Sequence, residues 1–258
     1  MSIPPLYVVE SISEAVRLDV SVNGVSVIRV LAPGRRTTQV KLNPWLVSGH
    51  NVITARLLPP AASAGRAGEP AFALRLIHGE HGRLPGPEGV LADLEWDPAD
   101  RPLEPGRPIV FEAAFWADDV PTGWAWESAP TGSLSEGERR QILRVVEAVH
   151  EGLVGRDAEA VVALHRRKHA ELGIALGVPP DELADDHAGL LSSAMTADDW
   201  RVAPLDLDTL SLEEYADGRL IEVRGPGSLP PLQARSGGRP LAFGLTLTQV
   251  DGTWAIVR

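Results

Sequence analysis

Residues 133–153 read SLSEGERRQILRVVEAVHEGL, and here the spacing of apolar residues changes from every second position to every third or fourth. Ile142, Val146, Val149 and Leu153 fall on one face at a period of 3.6, which predicts an amphipathic helix. Ser135 and Glu138 stand at capping-box spacing and mark its start. Gly155 stops it, and Asp157 can cap a second helix, AEAVVALHRRKHAELGIAL (158–176). Gly177 ends that one and Pro179-Pro180 makes the break. Asp181 then opens a third, weaker helix running to about Met195.

Upstream, residues 1 to about 117 read as strands. In AVRLDVSV (15–22), Val16, Leu18, Val20 and Val22 point one way and Arg17, Asp19 and Ser21 the other, the period of a half-buried strand. Asn23-Gly24 and VSVIRVL (25–31) follow. An Asn-Gly pair between alternating runs predicts a hairpin, because a type I′ turn needs positive φ at both central residues. Further strands are expected at 6–10, 37–43, 50–58, 72–78, 89–96 and 108–116, separated by Gly- and Pro-rich clusters. PPAASAGRAGEP (59–70) reads as a mobile loop. Downstream of Trp200 the strands return: 210–216, 219–225, 232–238, 240–250 and 253–258, with Asp217-Gly218 and Asp251-Gly252 as turns. The predicted fold is therefore two domains. An all-β sandwich covers 1–130, and an α+β domain covers 131–258, its three helices packed on an antiparallel meander.

The composition narrows the function classes. Of 258 residues, 44% are apolar, enough for solid cores, and the net charge is −11. The charge is spread along the chain, with 15 acids and 11 bases before residue 131. An acidic surface repels nucleic acid and anionic membranes, and it steers a basic partner inward. The absence of cysteine excludes disulfides and thiolate chemistry. No run approaches the ~20 apolar residues of a membrane helix. MSIPPLYVVESIS lacks the basic start and apolar run of a signal peptide. The expected location is the cytoplasm, or the periplasm if a leader has been trimmed. Lysine occurs only at Lys41 and Lys168, which suggests a GC-rich bacterial coding bias.

Two resemblances follow from local motifs. NGVSVIRVLAPGRRTTQVKLNPWLVSGHNVITARL (23–57) resembles the accessory β-sandwich of the galactose-binding-like class, through the phrase LVSGHNVITARL with Gly49 and Asn51. Gly49 permits the turn and Asn51 can bond the backbone around it. YADGRLIEVRG and LTLTQVDGTWAIVR resemble the nuclear transport factor two-like or cystatin-like superfamily, over roughly 133–258. That resemblance implies helices inside a curved sheet. The chain departs from it in showing no helix after about residue 197, and the superfamily's pocket acids and histidines have no counterpart here.

The site candidates are few. Trp124 and Trp126, in GWAWES, read as a seam between the two halves, or as a partner or ligand contact. With Trp45 they form the aromatic set a carbohydrate-binding first domain would use. His165 and His169 stand at i, i+4 and could reach one metal, but Arg166, Arg167 and Lys168 between them oppose a cation. His187 adds a third ligand only if the third helix folds beside the second. The favoured reading is a histidine pair on a helix surface, with no metal. HGEHG (78–82) reads as a turn, and Asp181, Glu182, Asp185 and Asp186 as a helix start. No nucleophile elbow, phosphate cradle or cofactor motif is found.

The leading expectation is a non-enzymatic bacterial binding protein, such as an assembly or immunity-type partner of a basic protein. The alternatives are an enzyme or ligand carrier with a pocket in the second domain, where His150 is the residue to test, and a carbohydrate-binding first domain.

Overall fold

The computed structural model describes residues 5–31, 34–60, 68–80 and 87–258. The loop expected at 59–70 and the turn at 78–82 fall partly outside these residues. The chain is sheet-rich. Among the described residues it has four antiparallel sheets and four helices, and the helices lie in its C-terminal half. It divides into two compact units, one of residues 1–122 with 175–177, the other of residues 123–174 with 178–258. No helix among the described residues is long and apolar enough to cross a membrane.

The first unit holds eight strands: β1 (Leu6–Glu14), β2 (Arg17–Val22), β3 (Val25–Val30), β4 (Arg36–Lys41), β5 (Gly49–Leu58), β6 (Ala71–Gly79), β7 (Val90–Trp96) and β8 (Ile109–Ala117). They form two four-stranded sheets, in the orders β4-β1-β6-β7 and β3-β2-β5-β8. The chain passes from one to the other between β1 and β2, with Ala15 at φ 50°. The alternation read from the sequence is the burial observed: Val16, Leu18, Val20 and Val22 are all buried. They share one apolar core with Val9, Leu74, Leu76 and Trp96 of the other sheet.

The β2–β3 turn has Asn23 at φ 51° and Gly24 at φ 79°, so both central residues are left-handed, as the Asn-Gly pair requires. Asn51 is fully buried and ties this turn to the next loop. Its Oδ1 accepts from Val47 N at 2.9 Å and Asn23 Nδ2 at 2.8 Å. Its Nδ2 donates to the carbonyls of Val47 and Gly49 at 2.8 and 2.9 Å. A buried amide with this many partners is fully satisfied, so its burial costs little.

The second unit opens with a 3-10 turn at Ala125–Glu127 and continues with α1 (Glu136–Val154), α2 (Ala158–Leu164), α3 (Arg166–Leu176) and α4 (Pro180–Met195). The capping box is complete: Ser135 Oγ accepts from Glu138 N, and Glu138 Oε2 accepts from Ser135 N at 2.9 Å. The predicted face of α1 is its buried face, with Gly152 added. Four buried aliphatics on that face contribute roughly 1.5–3 kcal/mol each.

The single helix expected over 158–176 is two. At His165 the backbone N–H reaches the i−3 carbonyl of Val162, and the ring Nδ1 bonds Val161 O at 2.8 Å. A side chain that takes a helix carbonyl competes with the helix's own bonds and breaks it locally.

Seven strands follow: β9 (Arg201–Val202), β10 (Ser211–Tyr215), β11 (Leu220–Arg224), β12 (Leu232–Ser236), β13 (Arg239–Phe243), β14 (Leu245–Val250) and β15 (Thr253–Ile256). The strand expected over 240–250 is broken at the exposed Gly244. Residues before it pair with β12, and residues after it pair with β11 and β15. The expected meander is therefore two sheets, in the orders β10-β11-β14-β15 and β13-β12-β9. Without a side chain, Gly244 lets the chain bend from one to the other. Their inner residues, including Leu232, Ala234, Leu245 and Leu247, share a core with Ile142, Val146 and Leu191 of the helices.

Candidate functional site

One solvent-facing surface of the first unit with a candidate binding chemistry is the outer side of β4-β1-β6-β7. Because side chains alternate, the inner residues of these strands fill the core and their neighbours stand in rows across the outer face. One row runs Gln39, Glu10, Arg75, Asp93. Gln39 Nε2 donates to Glu10 Oε1 at 2.6 Å, and Arg75 NH2 donates to Asp93 Oδ2 at 2.9 Å. The next row runs Thr37, Ile12, Ala73, Glu95. Ala73 is short where its neighbours are long, and a hollow of about 460 Å³ opens over it. Glu95 borders the hollow and makes no hydrogen bond or ion pair among the described residues. Ile12 and Leu91 are large apolar residues exposed on the same two outer strand faces. The face thus combines an apolar floor with carboxylates at its rim.

The tryptophans of GWAWES lie in the second unit. Trp124 and Trp126 belong to the 3-10 turn and its N-cap, not to a strand, and both are buried. Ala125 N, between them, donates to Glu171 Oε1 at 2.9 Å. Glu171 is buried and also accepts from Arg167 Nε and Arg258 NH1, both at 2.8 Å. The Arg258 guanidinium lies 5.5 Å from the Trp124 ring centre. This carboxylate is neutralised by two guanidiniums and one backbone N–H, an arrangement that holds a buried charge stably. Trp45, in the first unit, is half-buried against that unit's core and offers its carbonyl to Asn23.

The structure brings three histidines together. α4 packs on α2. His187 thereby comes to 5.2 Å, ring centre to ring centre, from both His165 and His169. His169 Nε2 and His187 Nδ1 share a hydrogen bond of 3.0 Å. Burial pulls the His165 and His187 rings down to about 4, with the nearby Lys168 ammonium adding to the effect. Burial also holds His169 below its usual value, and Lys168 as well, helped there by Arg258. The rings are therefore neutral at pH 7. Among the described residues no three His, Asp or Glu groups converge in an arrangement that would hold a metal ion.

His150, on α1, donates from Nε2 to the carbonyl of Ala203 at 3.0 Å. Ala203 lines a hollow of about 620 Å³ with Asp199, Arg201, Gln233 and Arg235. This hollow is on the outer side of β9 and β12: Leu232 and Ala234 point into the core, and Gln233 and Arg235 point away from it. Sequence reading missed Arg201 and Arg235 because β9 is two residues long and shows no period. It missed the acidic face because each row is assembled from four strands. The signal present was the i, i+2 spacing of Asp93 and Glu95.

No protein family, no curated protein and no solved structure was found to match this chain.

Proposed function

We propose that the protein is a non-catalytic binding protein, a β-sandwich (1–130) followed by an α+β domain (131–258), and that it docks a basic protein through the outer face of β4-β1-β6-β7. The hollow over Ala73 carries this reading, with Glu95 at its rim and Ile12 at its floor. Lys and Arg side chains suit such a surface, since their apolar stems cover an apolar floor while the charged heads reach carboxylates at the edge. The net charge of −11 favours the same partner by steering it during encounter. An assembly or immunity-type role for the complex fits both features.

The test is capture from native extract by the immobilised protein and by its Glu95→Arg and Glu10→Arg variants. The expected result is a basic protein retained by the wild type at low salt, released as salt rises past about 0.15 M, and lost with Glu95→Arg. Retention unchanged by both charge reversals would remove the face from consideration.

A further inference from the structure

We propose that the outer side of the three-stranded sheet β13-β12-β9 binds a small organic anion, with Arg201 and Arg235 as its anchors. This site is independent of the acidic face on the first unit. Arg235 and Arg201 are register partners across β12 and β9, so their side chains stand on one face, with Cβ atoms about 5 Å apart. Like charges directly opposite in an antiparallel pair destabilise the sheet. Acids outnumber bases 35 to 24 in this chain, so partners are abundant. Yet neither guanidinium has a hydrogen bond or ion pair among the described residues. Asp199 attracts Arg235 at longer range, but a single carboxylate leaves the pair of guanidiniums with excess positive charge, and two guanidiniums side by side form a binding fork for a carboxylate or phosphate group.

The surroundings form a site. The hollow of about 620 Å³ is of the size that holds a small ligand. Gln233 adds an amide, and Ala203 and Pro204 supply an apolar wall for the ligand's body. Both backbone groups of Ala203 are held: its N–H donates to Gln233 O at 2.9 Å, and its carbonyl accepts from His150. Among the described residues, Asp199 brings the one carboxylate that lines the hollow. Its two oxygens are engaged by Gly237 N at 2.6 Å and Gly238 N at 2.7 Å, which pins the β12–β13 hairpin beside the arginines. The ligand class is thus a carboxylate or phosphate ester with a small apolar portion.

The experiment is an NMR titration of the full chain, read at the arginine Nε–Hε resonances, with benzoate, phenyl phosphate and inorganic phosphate at matched ionic strength. The expected result is a saturable shift of Arg201 and Arg235 with benzoate or phenyl phosphate, at least tenfold weaker in Arg235→Gln. Tighter phenyl phosphate binding assigns a phosphate ester, and tighter benzoate binding a carboxylate. The same variant, without ligand, loses both the Arg201 repulsion and the Asp199 attraction, so its melting temperature should stay close to the wild type. Non-saturating shifts spread over all exposed arginines, or affinity unchanged in Arg235→Gln, would overturn the proposal.

Discussion

His165 shows what a single buried ring does to the pH dependence of this fold. Its folded value of about 4 lies below the ordinary histidine value of about 6.5 in the unfolded chain. Between those two values the unfolded chain binds more protons, so stability rises with pH across that window. It is complete above about pH 6.5 and is lost as pH falls toward 4. For His165 the full loss is on the order of 3 kcal/mol, of which about 2 is gone by pH 5. His187 moves in the same direction, and the two rings interact, so their effects do not simply add. Glu138 and Asp199, whose values are also held low, act further down the pH scale. Urea unfolding at pH 7 and pH 5 should therefore show a clearly lower midpoint at pH 5, and His165→Gln should flatten the difference. Equal midpoints at both pH values in the wild type would sink this account. The His165–His169 pair was legible as an i, i+4 spacing. Its burial beside His187 was not, because that depends on where α4 packs.

At the scale of elements, Gly152 sets how closely α1 and α2 approach. A Cβ placed there would stand 2.7 Å from Val161 Cγ2, and Val161 is itself buried and cannot move aside. Alanine is the better helix former by about 1 kcal/mol, but overpacking typically costs about 1–3 kcal/mol. Gly152→Ala should lower the melting temperature, and a rise would show that the helices have slack. The face of α1, its capping box and the Asn-Gly hairpin were all readable, because each is fixed by residues within one or two turns of chain. The break at His165 and the sheet switch at Gly244 were not. A histidine within a helical pattern and a glycine within an alternating run each allow continuation, and only tertiary pairing decides. For the same reason β9 escaped, since two residues carry no period.

At the scale of the whole molecule, the sheet-rich first half and the helices confined to the second half follow from the change of period near residue 133. The two faces proposed for binding do not follow from it. Rows such as Gln39-Glu10-Arg75-Asp93 are assembled from residues up to 83 positions apart, and no local pattern announces them. The docking of a basic protein proposed for the acidic outer face of β4-β1-β6-β7 is open to a direct test. The most direct measurement is hydrogen–deuterium exchange of the full chain with and without the captured partner. Added protection should fall on peptides covering β1, β6 and β7 and should disappear in Glu95→Arg. Protection confined to α1–α4 or to β9 and β12, with β1, β6 and β7 unchanged, would contradict it.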